Sequence, residues 1–423
     1  MKELIELKKK ERAFLVTVKL DYDKDNWSVD DLADELKELC LSAGVDIAGE
    51  FVCAIDKIHS DLYVGKGKAS EIAMLVLQYE ADTVIFNNDL SGTQQRNLEE
   101  LITKKTIDRT QLILDIFSRA AKTPEGKMEV ELAQLEYLLP RLTGKGIELS
   151  RMGGGIGTVG PGETKLETDR RKIKEKIFRL KKELKNLSIH REMARHKRIE
   201  AGLPLISLIG YTSAGKSTLI NALTNSEQLV KAELFTTLDP LSRKLTLDNR
   251  QKIIISDTVG FINKLPHHLV EAFKATLEEL IQADLLVHVL DIAHSKAIEH
   301  AESVYEVLKE LNVVDKTIIT ALNKVDKILD KAWLGRFTKE FPNPVLISAK
   351  LKENLDEFLD VIKTNLKDVF ELTELKIPIK RMDLVNSIYK EGAVQNIHYT
   401  ENFAIVKAFL SKKIKDKIAK KLC

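Results

Sequence analysis

Lys216 and the residues just before it carry the clearest chemistry in the chain. The run Gly210-Tyr211-Thr212-Ser213-Ala214-Gly215-Lys216-Ser217 frames a four-residue loop with two glycines and closes on a lysine and a hydroxyl, the pattern of a loop that cradles phosphates. Such a loop aims backbone N–H groups and a helix N-terminus at phosphate oxygens, while the lysine adds a point charge at the β and γ phosphates. Ser213 to Thr218 supply the amides in this reading, Lys216 the cation, and Ser217 a hydroxyl ligand for Mg²⁺.

Four more elements come downstream in the order a guanine-nucleotide switch needs: Thr236-Thr237, Asp257-Thr258-Val259-Gly260, Asn323-Lys324-Val325-Asp326 and Ser348-Ala349-Lys350. Taken singly each has a bland reading, Asp257 as a helix cap and Asn323 as a turn residue. Jointly they do not. Asp257 can hold Mg²⁺ through water and Thr237, in its Thr-Leu-Asp-Pro context, is preferred to Thr236 as the second hydroxyl ligand. Gly260 leaves its N–H free for a γ-phosphate. Asp326 can accept two hydrogen bonds from the N1–H and 2-amino group of guanine; adenine lacks that donor pair and would leave the carboxylate unmet. The pattern implies GTP rather than ATP, with Gly210, Ser213, Ala214, Gly215, Lys216, Ser217, Thr218, Asp257, Gly260, Asn323, Lys324, Asp326, Ser348, Ala349 and Lys350 as its nucleotide-binding residues. Lys216, Thr237, Gly260 and Phe261 are the candidate catalytic positions. Phe261 stands where many such proteins place a water-orienting Gln, and a phenyl ring cannot orient water by hydrogen bonding. Slow hydrolysis alone is expected, accelerated by a partner that orders the switches or supplies a group, an effect of about 10³ to 10⁵ in rate.

Strands must deliver these residues. Leu205 to Ile209, Lys252 to Ser256 and Thr317 to Leu322 are apolar runs ending at the phosphate loop, at Asp257 and at Asn323, the carboxyl ends of strands where open α/β sheets bind ligands. Leu285 to Leu290 and Val345 to Ile347 add buried strands, and Leu241 to Leu247 with Gln251 to Ser256 suit one antiparallel hairpin turning at Asp248-Asn249. A helix with Leu355, Phe358, Leu359, Ile362 and Leu366 on one face closes a P-loop G domain over 201–366, a mostly parallel sheet with helices on both faces.

Residues 1–127 alternate strand and helix patterns and predict a small, mostly parallel α/β domain. Arg12 to Leu20, Asp46 to Ile55 and Asp82 to Phe86 read as strands; Ser28 opens a helix carrying Leu32, Leu36 and Leu39, Lys68 to Tyr79 reads as another, and Ser91 with Gln94 makes a capping box. Gly65-Lys66-Gly67-Lys68 reads as a turn before a helix. In 128–200, Met128, Leu132, Leu135, Leu139 and Leu142, then Ile173, Ile177, Leu180, Leu184 and Leu187, repeat like heptad seams and predict an antiparallel helical hairpin. Between them, 143–164 holds eight of the twenty glycines and resists ordering. Lys165 to Arg198 holds fourteen Lys or Arg against five acids, an excess of +9. A charged face is usually only solvated, but this excess beside a glycine loop points to a phosphate backbone. Lys145, Arg151, Gly153, Gly154, Gly155, Arg170, Arg171 and Lys172 are the candidate RNA contacts. A small α+β tail domain, 367–423, has a strand-like Phe403 to Phe409 and a Lys-rich amphipathic end at Ile414, Ile418 and Leu422.

The 423 residues allow two to four domains, and the net charge of only +2 excludes a global basic field. Cys40, Cys53 and Cys423 show no metal or redox spacing. No apolar run is long enough to cross a bilayer, and Met1 to Lys10 lacks a signal-peptide apolar region. A soluble, cytoplasmic, monomeric protein is expected.

Several runs resemble the HflX family of ribosome-associated GTPases: Ile107-Asp108-Arg109-Thr110, Glu131-Leu132-Ala133-Gln134-Leu135, Leu139-Pro140-Arg141-Leu142, Gly153-Gly154-Gly155-Ile156-Gly157, Gly160-Pro161-Gly162-Glu163-Thr164, Phe235-Thr236-Thr237-Leu238-Asp239-Pro240 and Asp257-Thr258-Val259-Gly260-Phe261-Ile262. The resemblance covers roughly residues 10 to 366. It implies a GTPase that binds the large ribosomal subunit and splits or rescues idle or stalled ribosomes, its glycine loop reaching toward the peptidyl transferase region. The family commonly has Asn at the position of Ser213, linked in related GTPases to a catalytic potassium ion; one hydroxyl oxygen there puts a potassium requirement in doubt. Two other readings remain open from the residues: an ATP-driven RNA-remodelling activity with a nucleotide site in the first domain, and a GTP-gated scaffold that does not hydrolyse.

Overall fold

The computed structural model describes residues 11–22, 26–142, 161–200, 202–224, 235, 241–248, 251–264, 266, 269, 274–313, 315–328, 331–366, 370–391 and 393–422. Thr236, Thr237, Lys145, Arg151 and Gly153 to Gly155 lie outside them. Packing divides the chain into one unit of Met1–Lys185 with Glu233–Phe235 and Pro266–Ala272, and a second of Asn186–Ala232, Thr236–Leu265 and Phe273–Cys423.

The first unit is built on β1 (Arg12–Leu20), β2 (Asp46–Ile55), β3 (Thr83–Phe86) and β4 (Lys105–Ile107), a fully parallel sheet in the order β2-β1-β3-β4. The helices between them are α1 (Val29–Ser42), α2 (Lys66–Gln78) and α3 (Gly92–Ile102). Ser28 and Ser91 both form the reciprocal capping box, with Asp31 and with Gln94, which is why these helices start where the sequence predicts. Lys66 to Lys68 form the first turn of α2 rather than a turn ahead of it, with Gly65 as the N-cap.

Asp108 anchors the next two helices. It caps α4 (Arg109–Ala120) by accepting from the Gln111 amide at 2.9 Å, and it also accepts from Leu90 N at 3.2 Å and Arg141 Nη2 at 3.1 Å. Beside it Arg109 pairs with the buried Glu35 at 2.8 Å, and Thr110 donates to Asp89 at 2.5 Å. Burial pushes the Asp108 carboxyl up, while the Gln111 amide and Arg141 oppose the rise. Arg141 lies near the end of α5 (Pro124–Arg141), its guanidinium 3.5 Å from the centre of the Tyr137 ring. Two of the family-like runs therefore meet in space to hold a buried carboxylate.

On α5 the buried side is Val130, Leu132, Ala133 and Tyr137; of the expected seam, Leu132 is buried and Met128, Leu135, Leu139 and Leu142 are half-buried. α6 (Pro161–Glu200) is a single helix of 40 residues, about 60 Å long. It starts inside the stretch read as glycine-rich loop, because Pro161 suits the first helical position, where its missing N–H costs nothing. Of its expected seam, Leu180 is buried and Ile173, Ile177, Leu184 and Leu187 are half-buried. Ion pairs link Lys176 to Glu131 and Lys181 to Glu136. Arg171 and Lys172 are exposed and Arg170 half-buried. Two later segments complete the unit: Phe235 is buried edge-to-face on Phe117 at 4.6 Å, and Leu269 is buried.

In the second unit six strands are ordered β10-β9-β8-β5-β7-β6: β5 (Leu205–Ile209), β6 (Leu241–Thr246), β7 (Lys252–Asp257), β8 (Leu285–Asp291), β9 (Ile318–Asn323) and β10 (Pro344–Leu346). All neighbours are parallel except the β6–β7 hairpin. Around the sheet run α7 (Lys216–Thr224), α8 (Lys274–Ile281), α9 (Ala297–Glu310), α10 (Lys331–Glu340) and α11 (Leu355–Asn365), with Phe358, Ile362 and Leu366 of the closing helix buried in the core. The tail pairs β11 (Phe370–Pro378), β12 (Ala393–Tyr399) and β13 (Phe403–Ser411) in antiparallel order β11-β13-β12. Against it pack α12 (Met382–Glu391) and α13 (Lys412–Leu422), the latter through Ile414 and Ile418. Among the described residues no helix is long and apolar enough to cross a membrane.

Removing Arg141 would leave Asp108 buried without its guanidinium. Arg141→Ala is expected to destabilise the first unit by about 3 kcal/mol, read as a lower urea midpoint from Trp27 fluorescence in a Trp333→Phe background.

Candidate nucleotide site

The parallel strands bring four of the five sequence elements to one end of the second unit's sheet. Lys216 opens α7 at 7% exposure, its ammonium donating to the carbonyls of Gly210 at 2.9 Å and Tyr211 at 2.8 Å. Burial drives the Lys216 pKa down to about 8, with the nearby Asp257 carboxylate opposing the fall. Ser217 Oγ donates to Asp257 Oδ2 at 2.7 Å. This pair of hard oxygen donors on a half-buried hydroxyl and a buried carboxylate suits Mg²⁺, which takes oxygen ligands.

Gly215 has φ +102°, and a Cβ there would stand 2.3 Å from Asn323 Nδ2. The strained backbone and the close approach both require glycine. Ser213 also has a positive φ, +59°, and is exposed.

Asn323 ties three loops together. It is 2% exposed, its Nδ2 donates to Ala214 O at 2.8 Å, and its Oδ1 accepts from Ala349 N at 3.0 Å. Lys324 donates to Ser213 O at 3.0 Å and to Asp291 Oδ2 at 2.5 Å. Asp326 accepts from Ser348 Oγ at 2.6 Å, and Ser348 Oγ in turn accepts from Leu351 N at 3.1 Å. The Asp326 and Lys350 side chains are exposed.

The segment after Gly260, taken as the second switch from Gly260 to Asn263, is fixed to the loop at Gly210 to Thr212. Thr212 N donates to Phe261 O at 2.8 Å and Phe261 N to Gly210 O at 3.1 Å, forming a parallel bridge from Tyr211 to Phe261. Phe261 is 1% exposed. Expected as a catalytic position, it turns its ring into the core and offers only its main chain here, because a phenyl group gains more from burial than from facing water.

Sequence reasoning missed Asp291 and Tyr211. Asp291 ends β8, and an acid at a strand's carboxyl end beside the Asn323–Asp326 loop was a usable signal. Tyr211 occupies a position any residue fills in the phosphate-loop pattern, so nothing local marked it.

The chain is similar to known proteins. Residues 30–118 match a family described as GTP-binding GTPase N-terminal, 120–198 one described as GTP-binding GTPase Middle Region, and 205–324 one described as 50S ribosome-binding GTPase. A protein named GTPase HflX from Caldanaerobacter subterraneus subsp. tengcongensis is 43% identical over 409 residues, covering 97% of this chain and 93% of its own length. Its namesake from Escherichia coli K12 is 40% identical over 386 residues, covering 91% and 90%. A GTP-binding protein from the hyperthermophilic archaeon Sulfolobus solfataricus, crystallised with GDP, is 26% identical, with 84% of this chain and 98% of that one covered and a TM-score of 0.44.

Asn323→Ala would strip partners from two buried main-chain groups. A loss of about 2 to 4 kcal/mol in the stability of the second unit is expected, measured by urea unfolding without nucleotide, so that any effect on base recognition does not enter.

Proposed function

The chain belongs to the HflX family of GTPases, and on that basis we propose that it is a GTP-gated enzyme of the ribosome, docking on the large subunit in its GTP state to split or rescue idle or stalled particles. The observation that carries this reading is the match of residues 205–324 to a 50S ribosome-binding GTPase family, laid over a site where Lys216, Ser217, Asp257 and Asn323 are already assembled. A scaffold that does not hydrolyse fits a family of GTPases poorly.

In this reading Lys216 and the amides of Ser213 to Thr218 hold the phosphates, and Asp326 reads guanine with Ser348 steadying its carboxylate. Ser217, Thr237 and Asp257 would hold Mg²⁺. When bound, the ion neutralises charge that builds on the transferring phosphoryl group. Gly260 senses the γ-phosphate with its N–H. With Phe261 buried, no side chain directly after Gly260 orients water, so the particle supplies what the free protein lacks. Arg171 and Lys172, exposed on α6, lie on the basic helix that leads from the glycine-rich stretch with Lys145, Arg151 and Gly153 to Gly155, and together they meet rRNA by shape and phosphate contacts. Ser213 in place of Asn argues against dependence on potassium. The protein acts as a monomer in the cytoplasm.

Purified large subunits are expected to raise GTP turnover by at least a hundredfold and to co-sediment more strongly with a non-hydrolysable GTP analogue than with GDP, while whole particles convert to subunits. Unchanged turnover together with equal co-sedimentation in both nucleotide states would refute the reading.

Lys216 gives a pH signature. With its ammonium titrating at about 8 in the free protein, nucleotide phosphates bind the charged form and must draw in a proton once the pH exceeds that value. Affinity for GDP is expected to be flat up to about pH 7 and to fall toward tenfold per unit above about 8, with proton uptake visible by calorimetry in two buffers of different ionisation enthalpy.

A further inference from the structure

Tyr211 sits inside the phosphate loop, yet its side chain turns away toward the second switch. Its Oη accepts a hydrogen bond from Asn263 N at 2.8 Å, and the residue is 6% exposed. The ring lies flat on the His300 imidazole, with centroids 3.8 Å apart and planes 4° apart, and His300 in turn packs on His294 at 4.3 Å. His300 belongs to α9, an element anchored in the core through Ala297, Ala301 and Val304. The ring is thus backed by a helix packed into the core, and its hydroxyl grips the chain two residues beyond Phe261.

Gly260 is the residue this grip acts on. A Cβ on Gly260 would stand 2.8 Å from Thr212 Cγ2, 3.0 Å from Thr212 Cα and 3.1 Å from Lys216 Nζ. The glycine is therefore pressed against the loop beside the ammonium that serves the terminal phosphates. On one side of it stands the Thr212 main chain; on the other, the bridge of Phe261 to Gly210 and Thr212 and the bond of Asn263 to Tyr211. Phe261, Ile262 and Asn263 are all buried, so the segment cannot shift without breaking these bonds.

We propose that Tyr211, steadied by the stacked His300 ring, is the positioning residue for Gly260 and so sets how strongly the site prefers a nucleoside triphosphate over a diphosphate. The inference rests on Gly260 as the γ-phosphate sensor. GDP uses the phosphate loop but makes no demand on Gly260; GTP needs the Gly260 N–H aimed at a third phosphate. A grip that pre-orients this amide lowers the ordering cost of GTP binding alone.

The test compares affinities for GDP and for a non-hydrolysable GTP analogue in the full chain. Tyr211→Phe keeps the stacked ring and deletes the hydroxyl. GDP affinity is expected to stay within twofold, and affinity for the analogue to fall on the order of five- to tenfold, the size of one lost hydrogen bond. Turnover should change chiefly through KM. In parallel, exchange of the Asn263 amide should quicken at least tenfold without quickening in β5. His300→Ala, which keeps the hydroxyl but removes its support, should shift the same ratio in the same direction by a smaller factor, and it decides the matter if Tyr211→Phe does not fold. An unchanged or increased preference for the triphosphate in these variants overturns the proposal. Gly260→Ala separates the two levels: if it too leaves the GTP to GDP ratio unchanged, the sensor assignment has failed, whereas a ratio lost in Gly260→Ala and kept in Tyr211→Phe defeats only the role of Tyr211.

Discussion

A buried ammonium held by two carbonyls of its own loop is the constraint around which the second unit is arranged. Lys216 can stay at 7% exposure only because Gly210 and Tyr211 present their oxygens to it and because Asp257 stands close enough to offset part of the desolvation. An unpaired charge at that depth would cost several kcal/mol. Those carbonyls point inward only if the loop bends sharply, which needs glycine at 215, and the bend in turn brings the loop against Asn323. The parallel direction of the strands then places Asp257 and Asn323 at the same end of the sheet as the loop. β7 and β8 flank β5, and β9 lies one strand further out.

How much of this could be read from the residues depended on distance along the chain. The phosphate loop, Asp257, Asn323 and Ser348 were legible because each is a short run at the end of an apolar strand, where local pattern and chemistry coincide. The helix starts at Ser28 and Ser91 were legible for the same reason, since a capping box spans four residues. The grip of Tyr211 on Asn263 joins positions 52 apart, and the pairing of Asp291 with Lys324 joins positions 33 apart. Neither has a local signature. Phe261 shows the limit from the other direction. Its identity excluded a water-orienting role, but not until its neighbours were placed was it clear that its main chain fastens the switch to the loop.

The first unit shows how a sequence likeness can mark architecture as well as chemistry. Asp108, Arg109 and Arg141 were conspicuous only as parts of family-like runs. In space they close a buried ionic network around the start of α4 and the end of α5. Removing one partner from such a buried pair is strongly destabilising, which gives these charged residues a purpose without any ligand. Along α6 the expected seam and the observed shielding coincide, because a long, charged helix has few apolar side chains to hide and a 3.5-residue spacing leaves one way to hide them. On α5, with tertiary neighbours on more than one side, the same spacing was a poorer guide.

The discontinuity of the first unit carries one more consequence, concerning biosynthesis. Phe235 and Leu269, buried members of that unit, are encoded far downstream of its sheet. A ribosome making this chain releases β1 to α5 long before it has polymerised those two side chains, so the nascent unit lacks the ring that packs on Phe117 until residue 235 is made, and its last segment until translation has passed residue 272. Maturation of the amino-terminal half is thereby tied to elongation through the middle of the nucleotide-binding half, and truncated products that stop before that point leave an apolar surface for chaperones to recognise.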